Sequence, residues 1–154
     1  MTTYGYCWPQ SVLPGERVSL AVSSAVSSCD VEIVRIGSTE TIVGRWDNLA
    51  VTQQLVPVNA ASSGCNWAET LSIEVGGLWN TGFYLVRLID QEGTKAEAFF
   101  VVRSSEPRDT LLVLSTSTWA AYNDWGGPSF YTGGHHSSLE RPLPKGFLNK
   151  PDPH

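Results

Sequence analysis

Short β-branched segments recur at nearly regular spacing from Arg17 to Arg103, each cut off by Gly, Pro, Asn or Asp, and this repetition confines the chain to strand-built folds. Val18, Leu20 and Val22 alternate with Arg17, Ser19 and Ser23, giving one apolar face and one wet face. Asp30 to Ile36 and Glu40 to Arg45 repeat the pattern on either side of Gly37-Ser38, which reads as a hairpin. Leu71, Ile73 and Val75 alternate with Thr70, Ser72 and Glu74 until Gly76-Gly77 stops the strand. The longest run, Thr81 to Asp90, puts Tyr84, Val86 and Leu88 on one face and Phe83, Leu85 and Ile89 on the other, so both faces should be covered. Glu92-Gly93 then turns the chain into Lys95 to Arg103, whose Phe99, Phe100, Val101 and Val102 form an unbroken apolar block. About seven strands in some ninety residues is the pattern of an immunoglobulin-like β-sandwich.

Ser104 to Asp109 (SSEPRD) is polar and contains a proline, the composition of a boundary between modules. The expected division is a sandwich over 1–106 and a second module over 107–154. Thr110 to Leu114 (TLLVL) reads as a short strand of the kind buried on both faces of a parallel sheet, and Ser115-Thr116-Ser117-Thr118 supplies helix N-caps. A strand feeding a capped turn is how an α/β domain opens. The residues that follow carry Gly126-Gly127-Pro128, Gly133-Gly134, Pro142, Pro144, Pro151 and Pro153, and no second βα unit is legible among them. One parallel strand without a neighbour leaves its backbone donors and acceptors unpaired. The expectation is therefore the front part of a longer polypeptide, or one subunit of a complex.

Composition narrows the function classes. With 154 residues, 42% of them hydrophobic and 16% charged, the chain has enough apolar side chains to build a core and is not a disordered tail or a coiled coil. Ten Lys and Arg against fifteen Asp and Glu give a net charge of -5, which argues against nucleic acid or an anionic bilayer as partner. Met1 to Gln10 shows no secretory signal, and no stretch approaches membrane-spanning length. Cysteines 7, 29 and 65 contain no C-x-x-C pair and read as reduced thiols of an intracellular protein, so a cytoplasmic location is expected. Cys7 beside Trp8 and Cys65 near Trp67 are candidates to pack against each other.

Trp119-Ala120-Ala121-Tyr122-Asn123-Asp124-Trp125-Gly126-Gly127 is the densest cluster of functional-type side chains. It follows Leu114 at the location where open α/β sheets gather their ligands. In a helix, Ser115, Trp119 and Tyr122 or Asn123 share a face, and Tyr122 can present its phenol to a site. A phenolate is a hard oxygen donor suited to ferric iron or another Lewis acid. The same residues also suit a packed turn in which each polar tip only finds a partner. Weaker candidates are His135 and His136 in a Gly-rich loop, Asp124, and the Glu140-Arg141 pair, which reads as an ion pair. The motifs of serine hydrolases, nucleotide-binding P-loops, zincins and EF-hands are missing. Six tryptophans, at 8, 46, 67, 79, 119 and 125, raise the thought of a sugar-binding surface, but most fall at strand ends or turns, where pinning a core is their job.

Several segments together resemble the N,N-dimethylformamidase large-subunit family: Tyr6-Cys7-Trp8-Pro9-Gln10-Ser11-Val12 with Pro14-Gly15-Glu16, Gly64-Cys65-Asn66-Trp67, Trp79-Asn80-Thr81-Gly82-Phe83-Tyr84, Phe100-Val101-Val102-Arg103, and above all Ser117 to Gly127. Leu139 to Leu148 is similar to the segment that follows the family's T-W-x-A-Y-N motif. The resemblance implies an amidohydrolase in which a β-sandwich leads into a glutamine-amidotransferase-like α/β domain, with iron held by two tyrosines and a glutamate. Tyr122 of the T-W-x-A-Y-N motif is the metal ligand it assigns. Asn123 or a backbone N–H is the expected donor to a developing oxyanion, and Trp119 with Trp125 the expected wall against solvent. Tyr131 and Tyr84 are the phenols available for the second tyrosine, and no position is assigned to the glutamate. The implied partners are the remaining α/β catalytic part or a second subunit, and a small amide substrate. The competing reading is a non-catalytic sandwich that docks or orients a separate catalytic part.

Overall fold

The computed structural model describes residues 3–93 and 95–148; Pro151 and Pro153 of the expected proline-rich tail lie outside them. The described chain is mainly β. One sheet has three strands, β1 (Tyr4–Trp8), β3 (Arg17–Ser23) and β6 (Leu71–Glu74), in the order β1-β3-β6. The other has five, β2 (Ser11–Val12), β4 (Ser28–Ile36), β5 (Glu40–Ala50), β7 (Gly82–Ile89) and β8 (Lys95–Val102), in the order β2-β8-β7-β4-β5. All pairings are antiparallel except β2 with β8, where Ser11 and Val12 run parallel to Val101 and Val102. β3 and β6 form where expected, but the face of β3 read as wet is covered at Ala21 and Ser23, which are buried like Leu20 and Val22; Gly37-Ser38 joins β4 to β5 as a hairpin.

The two sheets share one core. Cys7, Val18, Leu20, Val22 and Ile73 from the three-stranded sheet meet Val31, Ile33, Tyr84, Val86, Leu88 and Phe100 from the five-stranded sheet. Trp79 stacks on Tyr84 at 5.2 Å and Tyr84 on Phe100 at 5.3 Å. The other face of β7 and β8 is covered too, by Phe83 against Phe99 and by residues from the end of the chain. β1 and β2 precede the first strand legible in the sequence, because their short aromatic text lacks a β-branched alternation.

Three expectations are corrected. Thr110 to Leu114 forms no strand: the segment is irregular, and Leu111, Leu112 and Val113 are 85%, 70% and 76% exposed. A strand needs a neighbour to pair its backbone, and this segment has none in the sheets described. Cys7 and Cys65 do not pack together; Cys7 belongs to the main core and Cys65 to a second cluster with Tyr6, Ala60 and Trp67, and all three thiols are free and buried. Ser115 precedes helix α2 (Thr116–Tyr122), as expected, but its side chain makes no capping bond.

No helix among the described residues is long and apolar enough to cross a membrane.

Candidate functional site

The T-W-x-A-Y-N segment is tied to the sheets at both ends. Within α2, Trp119 lies edge-on to Phe99 at 5.2 Å and to Phe83 at 6.5 Å, so one indole docks the short helix on the outer face of β7 and β8. Beyond the helix, Trp125 packs edge-on against Trp67 at 5.7 Å and Tyr4 at 5.3 Å, within the second cluster. Gly126 and Gly127 follow with φ of 73° and 145°. A Cβ on Gly127 would come within 2.9 Å of the Ala61 Cβ, and one on Gly126 within 3.1 Å of the Ala60 Cβ. Both glycines are thus required twice, for left-handed backbone and for close approach to helix α1 (Ala60–Ser63).

Between these anchors the three candidate residues part ways. Tyr122 is 51% exposed and its ring lies nearly parallel to that of Tyr131, centroids 4.2 Å apart and planes 20° apart. The neighbouring Tyr122 phenol raises the pKa of the Tyr131 phenol. Tyr131 is carried on a 3-10 turn, Phe130–Thr132, fixed by reciprocal bonds between Ser129 and Thr132. Asn123 points the other way and is 2% exposed. Its Nδ2 donates to the Pro142 carbonyl at 2.9 Å, and its Oδ1 accepts from the Trp125 amide at 2.9 Å. Its amide is engaged in the turn, and Trp119 is engaged with Phe83 and Phe99. Of the alternatives for a second phenol, Tyr84 is fully buried in the core with its hydroxyl donating to the Asn80 carbonyl. Tyr131 is the phenol the fold brings beside Tyr122.

His135, His136 and Asp124 are exposed. Among the described residues no group of three or more His, Cys, Asp and Glu gathers where it could hold a metal ion. A cavity of about 700 Å³ lies elsewhere, lined by Phe83, Phe99, Val101, Leu112 and Leu114, and it reaches α2 only at Thr116.

Arg141 has a role that the sequence reading, which makes it an ion-pair partner, misses. Its guanidinium is buried, with the residue 2% exposed, and it bonds neutral acceptors instead of Glu140. Nε donates to the Ser138 carbonyl at 3.1 Å, Nη2 to the Asn123 carbonyl at 3.0 Å and to Ser137 Oγ at 3.1 Å, and Nη1 to the Trp125 carbonyl. Burial pushes its pKa down, against the opposing pull of Cys65 and Asp124. The signal in the sequence is the pairing of an arginine with the proline whose carbonyl receives Asn123.

The sequence model of one family, described as N,N-dimethylformamidase beta subunit-like, C-terminal, matches residues 30–152. None of the curated proteins compared with the chain matches it.

Proposed function

This chain belongs to the N,N-dimethylformamidase beta subunit-like family, and from that premise we propose that it is part of an amidohydrolase acting on a small amide, with Tyr122 as its reactive phenol. The observation that carries the reading is the exposed Tyr122-Tyr131 pair, in which Tyr122 ends a helix docked by Trp119, Tyr131 comes from the 3-10 turn, and Trp125 anchors the chain just past the helix. Two phenols on neighbouring stacked rings are hard oxygen donors of the kind that ferric iron favours, so Tyr122 and Tyr131 would hold the ion, with the remaining ligands drawn from outside the described residues. Iron, when bound, supplies a Lewis acid for amide hydrolysis. Trp119 and Asn123 are positioning residues in this reading: the first seats α2 on the sheet, the second fixes the turn that follows it.

The two sheets are immunoglobulin-like in this reading. Support comes from their split into β1-β3-β6 and β8-β7-β4-β5, and from the Tyr84 hydroxyl reaching back to the Asn80 carbonyl as a tyrosine corner does. Residues 107–154 are the start of the catalytic domain. The exposed row Leu111-Leu112-Val113 is where a further α/β part or second subunit docks, a role supported by the family's description as a beta subunit. Three free, buried thiols are in keeping with the cytoplasm.

Tyr122→Phe in the complete assembly tests the reading. The expected result is loss of bound iron and of amide hydrolysis by about a hundredfold or more, because even groups one step removed from a metal are worth roughly 10–100-fold. Full iron content and full turnover in this variant would refute it.

A further inference from the structure

Helix α2 ends at Tyr122, and a helix end leaves carbonyls without intrahelical partners. The Trp119 carbonyl accepts from the Asn123 amide at 3.0 Å, and the chain just past the helix adds further carbonyls that need donors. Asn123 and Trp125 both give theirs to the Arg141 guanidinium, which also takes Ser138 and the Ser137 hydroxyl. Ser137 Oγ donates onward to the Ala120 carbonyl at 2.8 Å, so the network reaches inside the last turn of the helix. On the other side of the same loop, the Glu140 carbonyl accepts from the Cys65 amide at 2.8 Å and the Ser138 amide donates to the Ala61 carbonyl at 2.9 Å. The cation directly, and Ser137 beside it, therefore tie residues on either side of Tyr122 to a loop that is itself fastened to the second cluster.

We infer that Arg141 is a positioning residue for Tyr122, a clamp that fixes the end of α2 and thereby the direction of the phenol. The inference rests on the proposal that Tyr122 is the working phenol, but its mechanical part is independent of that chemistry. Only a guanidinium can make this clamp, because its donors leave in several directions within one plane, whereas an ammonium is a compact point charge that cannot span carbonyls from residues 123, 125 and 138 together. A carboxylate partner is unnecessary because the carbonyl dipoles at the helix end favour a positive charge there.

The test is made on the intact protein with tyrosine ring labels read by NMR, the Tyr122 signal being the one lost in Tyr122→Phe, together with hydrogen exchange along the backbone. In Arg141→Ala, amides of residues 119–125 are expected to exchange about tenfold faster or more, as loss of bonds to a charged group implies. The Tyr122 ring signal should move away from its stacked position while β7 and β8 keep their protection. Added guanidinium ion at sub-denaturing concentration should restore both signals, and Arg141→Lys should not. Unchanged exchange and an unmoved Tyr122 signal would overturn the inference, and so would loosening spread evenly over β7 and β8, which would make Arg141 a general stabiliser. If Arg141→Ala does not fold, Ser137→Ala removes one acceptor of the clamp and is judged by the same two signals, with a smaller change expected. Iron content and turnover of Tyr122→Phe report separately on the catalytic reading, so either idea can fail without the other.

Discussion

At the scale of single residues, burial decides chemistry. Cys29 and Cys65 have their thiol pKa pushed up to about 11, mainly by desolvation, and that of Cys7 is pushed higher still. Each folded value lies above the ordinary value of about 8.5. The native state therefore retains these protons more tightly than the unfolded chain does. The stability they lend is fully present below about pH 8.5 and is lost as pH rises through about 11. Stability measured between pH 8 and 11 should fall, and Cys29→Ser and Cys65→Ser should each flatten that fall; a thiol reagent at pH 8 should modify the three cysteines only on unfolding. The residue type at these positions was plain from the sequence, and the lack of a C-x-x-C pair pointed correctly to free thiols. The separation of Cys7 and Cys65 into two clusters was not legible, since a neighbouring tryptophan in the chain does not tell which side of β1 Cys65 packs on or which face Cys7 takes.

At the scale of elements, hydrophobic patterning located β3, β6 and β7, but it did not show that the second face of β3 is also covered, at Ala21 and Ser23. It failed for Thr110 to Leu114, whose apolar text states a preference for burial but cannot supply the partner that a strand requires. The direction of Asn123 was equally hidden, because it depends on a carbonyl nineteen residues away at Pro142. Helix α2 has seven residues, too few to persist alone in water, so its existence depends on docking. Trp119→Ala should accordingly destabilise α2 by about 1–3 kcal/mol, the worth of a partly buried aromatic anchor with two edge contacts. Circular dichroism should show a small helical loss, and limited proteolysis should cut between residues 115 and 125 while the sheets stay intact.

At the scale of the whole molecule, a continuous two-sheet core supports a peripheral segment built from one short helix and a 3-10 turn. Leu111, Leu112 and Val113 are three consecutive exposed apolar side chains outside that arrangement. Leu112→Asp with Leu111→Asp should leave the melting temperature within a few degrees, since exposed positions contribute little to stability, yet should weaken assembly with the catalytic part by about tenfold or more. Size-exclusion chromatography of the co-expressed assembly is the measurement. The clamp at Arg141 also imposes an order on synthesis. A ribosome emits Tyr122 well before the guanidinium that aims it, so a nascent chain stopped between the two would display finished sheets beneath an undirected phenol, and maturation of the reactive surface must wait until the polypeptide has grown past Arg141.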